Sequence, residues 1–428
     1  MDFSPPRGTV DLLPPASGAM LALAEEAAHQ AELYGYRYVE TPAFEATELF
    51  ARTSGESADV VRKEMYTFQD KGGRSLTLRP EGTAPVVRAY LANAHDLASP
   101  FKAYYVEWMW RYGRPQTGRL RQFRQFGIEV IGAGEAEADV EAIAVGDRYL
   151  RGCGLGPLEL QVNSIGDEQC RPAYRKELLE YLESRRERLR DEHREHFRTN
   201  PLRVLDCKDE SCRAVSAEAP KISDRLCAPC AKHFDEVREG LEREDLRFVH
   251  VPTLVRGLDY YTRTAFEWTS DALPAGQATL GGGGRYDGLA EILGGPATPG
   301  IGFAIGLDRV LLALEREGKR PIGREVPDCF VVAVGEGAWA HGREVIRELR
   351  RGGLSAEASF EPRSLKAQLR MADRGGASFA VIVGQKEAEA GTVTVRRLSD
   401  GHQQELPLDR AIVFMAEGRI PSIQGGPR

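Results

Sequence analysis

The sequence predicts an α+β fold in which a first body is interrupted by a mainly helical insertion and followed by a separate α/β domain with a mixed sheet. Three observations carry this. Residues 104–112 and 122–131 read as two strands joined by a polar hairpin loop with Pro115 and Gly118. Strands pause after 158–165 and return at 247–251, and the stretch between them, 166–247, is charged, helical and rich in cysteine. Beyond a linker at 318–328, strands at 330–335, 379–384 and 392–398 alternate with helices at 339–351 and 364–374, the pattern of a compact α/β unit.

In chain order, 17–35 is an amphipathic helix with Ser17 as its cap and Gly35 as its stop. The following YRYVETPAFE is extended, and Pro42 suits an edge or a dimer seam better than a central strand. A hairpin turning at 71–73 leads to Arg79-Pro80-Glu81-Gly82-Thr83 and a helix. There Glu81 and Thr83 set a carboxylate and a hydroxyl at a helix start, either as a plain cap or as part of a site. The central hairpin then holds Arg111, Arg114, Arg119, Arg121 and Arg124 with no acid between them, in a chain whose net charge is −7. Guanidinium groups held on a hairpin can grip phosphates bidentately; the plain alternative is a solvated loop. Gln125 and Glu129 are evenly spaced on the returning strand and share one face. A helix at 135–153 follows.

Within the insertion, 168–198 reads as one long charged helical run, and the cysteines follow as Cys207-x4-Cys212-x14-Cys227-x2-Cys230, with His233 close behind. Four thiolates at this spacing could close a structural zinc site; reduced thiols in a helical segment are the alternative. After the insertion, Arg256, Asp259, Tyr260, Tyr261 and Thr262 crowd a turn before a strand at 264–269. Neighbouring tyrosines point to opposite faces, so one can pack while the other lines a site. The run Gly281-Gly282-Gly283-Gly284, followed by Arg285, Tyr286 and Asp287, lets backbone approach a ligand closely, yet it lacks the trailing Gly-Lys-Ser/Thr of a P-loop. Last in this body, PGIGFAIGLDRVLL reads as a strand entering a helix near Leu307. Arg309 falls in its first turn, where the dipole welcomes an anion.

With 428 residues the chain is long enough for two or three cores, and 42% hydrophobic and 28% charged residues are those of an ordinary globular protein. No run of 18 apolar residues occurs, and the N-terminus lacks the basic-then-apolar order of a signal peptide. Seven cysteines are an odd count that points to reduced thiols, so a cytoplasmic protein is expected, with no membrane partner.

Taken in order, the motifs resemble those of bacterial histidyl-tRNA synthetases, which are class II aminoacyl-tRNA synthetases, over nearly the whole length. Thr41-Pro42 looks like motif 1, residues 111–129 like motif 2 with its loop, and GFAIGLDR (302–309) like motif 3. RGLDYYTRTAFE (256–267) and GGGGRYDGL (281–289) look like the two signatures peculiar to the histidyl enzymes, and 364–384 is similar to their anticodon-binding domain. The resemblance implies an antiparallel catalytic sheet of six or seven strands flanked by helices, in a discontinuous catalytic domain at 1–165 and 248–322. The insertion would span 166–247 and the anticodon-binding domain 328–428. It implies a homodimer, ATP with Mg2+, L-histidine and tRNA(His) as partners, and two steps: formation of histidyl-adenylate and transfer to the 3′ end of the tRNA.

Carried over residue by residue, the resemblance makes Arg111, Arg256 and Arg309 catalytic. Arg111 would hold the α-phosphate and the histidine carboxylate, Arg256 the α-phosphate, and Arg309 the terminal phosphates, with Arg119 and Phe123 also on ATP. Glu81, Thr83 and Gln125 would surround the α-amino group; Glu129 and Tyr261 would hold the imidazole, with Tyr260 and Tyr286 nearby. Arg114 and Gln116 would reach the tRNA acceptor end. One departure stands out: the family's Phe-Arg-x-Glu is here Trp110-Arg111-Tyr112-Gly113, which leaves the adenine contact open. Two rivals are a non-catalytic regulatory subunit of ATP phosphoribosyltransferase and an RNA-binding or zinc-knuckle module without enzymatic activity. The first typically lacks the signature arginine and the C-terminal domain; the second leaves RGLDYYT and the glycine run without a purpose.

Overall fold

The structure is a computed structural model that describes residues 3–53, 64–199, 201–205, 207, 209–255, 260–274, 276–319, 326–335 and 337–418. The chain forms two compact units, Met1–Pro321 and Ile322–Arg428. Strands of the first unit are β1 (Arg37–Tyr38), β2 (Phe44–Ala46), β3 (Tyr66–Gln69), β4 (Ser75–Leu78), β5 (Phe101–Trp110), β6 (Gln122–Ile131), β7 (Leu158–Ser164), β8 (Phe248–His250), β9 (Thr262–Ser270), β10 (Thr279–Arg285) and β11 (Gly300–Gly306).

Eight of them make one sheet in the order β1-β5-β6-β11-β10-β9-β7-β8. The six central strands pair antiparallel, while β1 joins β5 and β8 joins β7 in parallel. The sheet therefore exceeds the six or seven strands expected, because two very short edge strands close its sides. The edge strands are blunt: β1 is two residues long and the chain leaves it before Pro42, which cannot donate to a ladder. The smaller sheet β2-β4-β3 holds the first hairpin, whose turn is tied by Asp70 Oδ1 accepting from Gly72 N and Arg74 N.

Period-two alternation gives the large sheet two different faces. Phe126, Ile128 and Val130 of β6 and Ile301, Phe303 and Ile305 of β11 enter one apolar core with Trp268, under the helices Ala16–Leu33, Ala136–Gly152 and Leu307–Arg316. The opposite face carries Gln125, Gly127 and Glu129. Helix Ala16–Leu33 starts one residue before Ser17, so that serine lies inside the helix instead of capping it. It stops where expected, at Gly35, whose φ of +79° suits glycine.

The charged run at 168–198 is three pieces rather than one helix: Arg171–Glu183, a 3-10 turn at Arg186–Arg188, and Asp191–His196. Tyr174, Leu178 and Leu182 bury one face of the first piece, and the chain must turn for Leu189 and Phe197 to reach the same core. Helix Ala228–Arg243 returns the chain to the sheet. Its His233 Nε2 lies 3.3 Å from Asp139 Oδ1 on helix Ala136–Gly152. Arg285, fully buried, bonds the same Asp139 (Nε–Oδ2 3.1 Å) and the carbonyls of Ala133 and Glu135.

The second unit has a five-stranded mixed sheet of β12 (Cys329–Ala333), β13 (Ala356–Ala358), β14 (Phe379–Val383), β15 (Thr392–Arg397) and β16 (Gln403–Pro407), ordered β13-β12-β14-β15-β16. Its first three strands are parallel and the last two antiparallel. Helices Ala338–Arg351, Leu365–Arg374 and Leu408–Glu417 pack on it.

Candidate active site

Register places the functional face. Glu129 of β6 lies opposite Gly302 of β11, which lies opposite Gly284 of β10; Gly127 likewise leads through Ala304 to Gly282. This face is nearly bare of side chains where the strands cross, and the glycines make room for particular neighbours. A Cβ on Gly302 would stand 2.0 Å from Glu129 Oε2, and one on Gly127 would stand 2.2 Å from the Tyr105 ring. A Cβ on Gly284 would meet the Tyr261 ring at 2.8 Å. The glycine run is thus a central strand, tolerated there despite poor strand propensity because larger residues would evict the site. Above it lies a cleft of about 370 Å3 lined by Glu81, Thr83, Tyr105, Arg111, Arg119, Phe123, Gln125, Tyr260, Tyr261, Gly282, Ala304 and Arg309, among others.

One end of the cleft is acidic and phenolic. Glu81 is both a cap and part of the wall: its carboxylate accepts from Thr83 N (2.8 Å) and Ala84 N (3.0 Å) at the start of helix Thr83–Asn93. Burial raises its pKa against those bonds. Thr83 Oγ1 donates to Glu129 Oε1 (2.7 Å), and Tyr286 OH donates to Glu129 Oε2 (2.5 Å). Glu129 has no exposed surface, and burial lifts its pKa to about 8 even though both hydroxyls favour the carboxylate. It forms the floor beneath Thr83 and does not line the cleft directly. Gln125 Oε1 is buried with no hydrogen-bond partner, an acceptor left for a donor that the described residues do not supply. The Tyr260 ring stands 4.9 Å from Tyr261 and 6.1 Å from Tyr286, so both members of the pair enclose this end.

Cations hold the other end. Arg111, just past β5, donates from Nε to Pro80 O (2.8 Å) and lies 5.3 Å over the Phe123 ring. Burial lowers its pKa, a measure of how little solvent its charge retains. Arg309 donates to Gly118 O (3.1 Å) and Thr279 O (2.6 Å) from the first turn of its helix. Arg119 pairs with Glu64 (2.6 Å). Among the described residues, neither Arg111 nor Arg309 forms an ion pair, so each is positioned by carbonyls while its charge remains available.

The family model described as Histidyl-tRNA synthetase matches residues 8–310, and one described as Anticodon binding domain matches 328–417. The chain belongs to the histidyl-tRNA synthetase family. It is 48% identical over 412 residues to the histidine–tRNA ligase of Moorella thermoacetica, covering 96% of this chain and 97% of the relative. With that of Halothermothrix orenii it shares 46% over 417 residues, 97% of this chain and 99% of the relative. The apo histidyl-tRNA synthetase structure of S. aureus matches with a TM-score of 0.79 at 36% identity, covering 97% of this chain and all of that one. The protein is a histidine–tRNA ligase that forms histidyl-adenylate from L-histidine and ATP and passes it to tRNA(His). The reading as a regulatory subunit is not favoured, since these relatives, matched over nearly the whole chain at 46–48% identity, are histidine–tRNA ligases. Synthetases of this family use ATP with Mg2+. No helix among the described residues is long and apolar enough to cross a membrane.

Within this synthetase, Arg256 and Asp259 lie outside the described residues. Arg114 and Gln116 are exposed on the hairpin loop, where Gln116 and Arg119 bridge each other, and they do not line the cleft. The four cysteines do not close one zinc site. Cys207 and Cys212 group with His193, while Cys227 and Cys230 group with Cys170 and Asp167. The reason is the broken helical run, which brings His193 and Cys170 inward at different places; His233 faces Asp139 instead. Sequence reasoning also missed Tyr105, which an alternating strand offers no way to single out, and Glu64. The Glu64 Oε1 atom would stand 3.1 Å from a Cβ on Gly113, so a carboxylate borders the position where the family's acid is missing.

Proposed function

We propose that the two ends of the cleft divide the adenylation substrates between them, histidine at the Glu81–Tyr286 end and the ATP phosphates at the Arg111–Arg309 end. The observation that carries this reading is the pairing, along one cleft, of hydrogen-bonded buried carboxyl groups at one end with arginines that form no ion pair among the described residues at the other. Glu81, Thr83 and Gln125 would take the α-amino group, the orphan Gln125 Oε1 being a natural acceptor for it. Tyr261 and Tyr260 would meet the imidazole, and Glu129 would act on it from beneath, through the Thr83 and Tyr286 hydroxyls that engage it. A pocket built to pair both ring nitrogens leaves its own polar groups unsatisfied with other side chains, which can discriminate by ~10⁴–10⁵ without editing.

Histidine's carboxylate is already a nucleophile, so no general base is needed. Charge builds instead on the α-phosphorus and on the departing pyrophosphate, where Arg111 and Arg309 would stabilise it. Arg256 would join them by family resemblance, and Arg119 and Phe123 would flank the nucleotide. When bound, Mg2+ would neutralise phosphate oxygens; Glu267, whose charge acts on Arg309, is the nearby carboxylate suited to share it. Glu64 would supply the carboxylate that Gly113 lacks.

Arg114 and Gln116, exposed on the loop, would contact the acceptor end of tRNA(His), and the second unit its anticodon. Residues 166–247 would act as an inserted module between catalytic segments 1–165 and 248–322. A homodimer is supported by exposed aromatics beside Thr41-Pro42: Tyr38, Phe44 and Phe68 are 52%, 50% and 43% exposed, and the last two rings touch at 6.2 Å. A cytoplasmic setting fits seven cysteines without a disulfide among the described residues. Histidine-dependent pyrophosphate exchange, run against the other amino acids and with and without tRNA, tests the reading. Exchange driven equally by several amino acids would overturn it.

A further inference from the structure

We infer that Asp167, Cys170, Cys227 and Cys230 form a tetrahedral zinc site that locks together the two ends of the insertion. The chain enters the insertion through the turn after β7, which carries Asp167 and, three residues on, Cys170. It leaves through helix Ala228–Arg243, whose start carries Cys227 and, again three residues on, Cys230. Two knuckles of equal spacing, Asp-x2-Cys and Cys-x2-Cys, therefore face each other across 57 residues.

Three of their six donor–donor distances already match the edges of a metal tetrahedron. Zinc bonds of about 2.3 Å to sulfur and 2.0 Å to oxygen require edges of about 3.8 Å between sulfurs and about 3.5 Å between sulfur and oxygen. Cys170 Sγ is 3.6 Å from Cys227 Sγ, and Asp167 Oδ1 is 3.3 Å from Cys170 Sγ and 3.7 Å from Cys227 Sγ. All four donors, Cys230 Sγ included, lie within 4.8 Å of one another. Three soft thiolates with one carboxylate and no open position suit structural zinc rather than a hard cation.

Charge is provided for as well. Zinc with three thiolates and a carboxylate carries two net negative charges. Cys170 and Cys227 are the residues at the N-terminal caps of helices Arg171–Glu183 and Ala228–Arg243, where backbone dipoles favour thiolate. The Arg263 guanidinium stands 3.6 Å from Asp167 Oδ2. Binding releases the thiol protons to solvent, so no oxidant or reductant is involved.

The same turn supports the histidine end of the cleft. Arg171, next to Cys170, donates to Ile165 O (3.1 Å) and to the carbonyl of Tyr261. Ile165 N donates to Arg263 O (2.7 Å), and Arg263 N donates to Gly166 O (2.8 Å). Metal at Cys170 thus anchors the strand entry that carries Tyr261.

The test is the zinc content of reduced, purified full-length protein, compared for wild type, Cys170→Ser and Cys212→Ser, with a Co2+ titration of metal-stripped wild type. Cys170→Ser should lose about one zinc per chain relative to wild type, and the Cys170-containing site should survive in Cys212→Ser. Cobalt should give thiolate-to-metal charge-transfer bands and tetrahedral d–d bands in the intact wild type, independent of how the variants fold. The assignment is overturned if wild type neither carries zinc nor takes up cobalt, if Cys170→Ser keeps the full zinc content, or if Cys170 and Cys227 are found as a disulfide in protein as isolated.

Discussion

At the acidic end of the cleft each buried carboxylate is already engaged: Glu81 by two backbone amides, Glu129 by the hydroxyls of Thr83 and Tyr286. At the other end Arg111 and Arg309 donate to carbonyls, Arg111 also lies over an aromatic ring, and neither forms an ion pair with a described acid. On the proposed division of substrates, the difference follows from what each end would have to do. A specificity pocket needs groups fixed in shape and protonation before the ligand arrives, since an unpaired polar group is what rejects the wrong side chain. A phosphate site needs cations held in place but not neutralised, since their work begins when negative charge develops.

The largest effect should come from the cationic end. Arg111→Ala is expected to slow adenylate formation by ~10²–10³-fold, about 3–4 kcal/mol at the transition state, without unfolding the protein. Lysine at 111 should rescue poorly, because a point charge reproduces neither the planar fork nor its stacking over Phe123. Single-turnover measurement of pyrophosphate release decides it. A loss within a few-fold would mean that the unmatched charge is structural.

The acidic end should respond differently. Glu129→Gln keeps the shape and should lower kcat/KM for histidine by ~1.5–3 kcal/mol while leaving the KM for ATP in place. It also has a signature without substrate. Glu129 has a folded pKa of about 8 against an ordinary 4.5, so the folded state binds its proton more tightly than the unfolded one. Its contribution to stability is therefore fully present below pH ~4.5 and is lost as pH rises through ~8. The variant has no such titration, so its Tm relative to wild type should climb between pH 5 and 8.5. A flat difference would show that the empty pocket does not hold Glu129 as the acid.

The two ends were not equally legible in the sequence. Five arginines without an acid mark the hairpin as a local concentration of positive charge, of which Arg111 and Arg119 line the cleft, and Arg309 is legible as the first turn of a helix after a strand. The alternation of β6 and β11 is clear because each sends one row of large apolar side chains into the core. What stayed hidden depends on contacts between distant segments. The glycine run looks like a loop because glycine is poor in strands; it is a strand because Tyr261 and the β11 backbone occupy the space of any side chain. Tyr105 reads as one more buried aromatic until Gly82 and Gly127 are seen to clear its ring. Cys170 escaped notice because its partners stand 57 and 60 residues away, while Cys207 and Cys212 lay closer along the chain.

Gly302→Ala separates room from chemistry at the acidic end. The added methyl would meet Glu129 Oε2 at 2.0 Å and Ile128 O at 2.4 Å, so backbone or carboxylate must move. Overpacking of this kind is expected to lower stability by ~1–3 kcal/mol and to raise the KM for histidine more than that for ATP. Denaturant unfolding and paired KM values measure the two effects. An unchanged histidine KM would separate Glu129 from the pocket it is proposed to serve.

The smallest effect on adenylation, and the one that bounds the comparison, concerns the loop outside both ends. Arg114 and Gln116 are exposed and absent from the cleft wall, so Arg114→Ala and Gln116→Ala should leave adenylate formation within about twofold of wild type. If the loop meets the tRNA, histidyl transfer should slow instead. Arg114→Ala should also flatten the dependence of log K for tRNA binding on log salt by roughly one unit, the expectation for one lost phosphate contact. Gln116 carries no charge, so its removal should slow transfer and leave that slope alone. The pair thus reports separately on charge and on shape: equal slowing of both half-reactions would draw the loop back into the ATP site, and an unchanged transfer rate would place the acceptor end elsewhere.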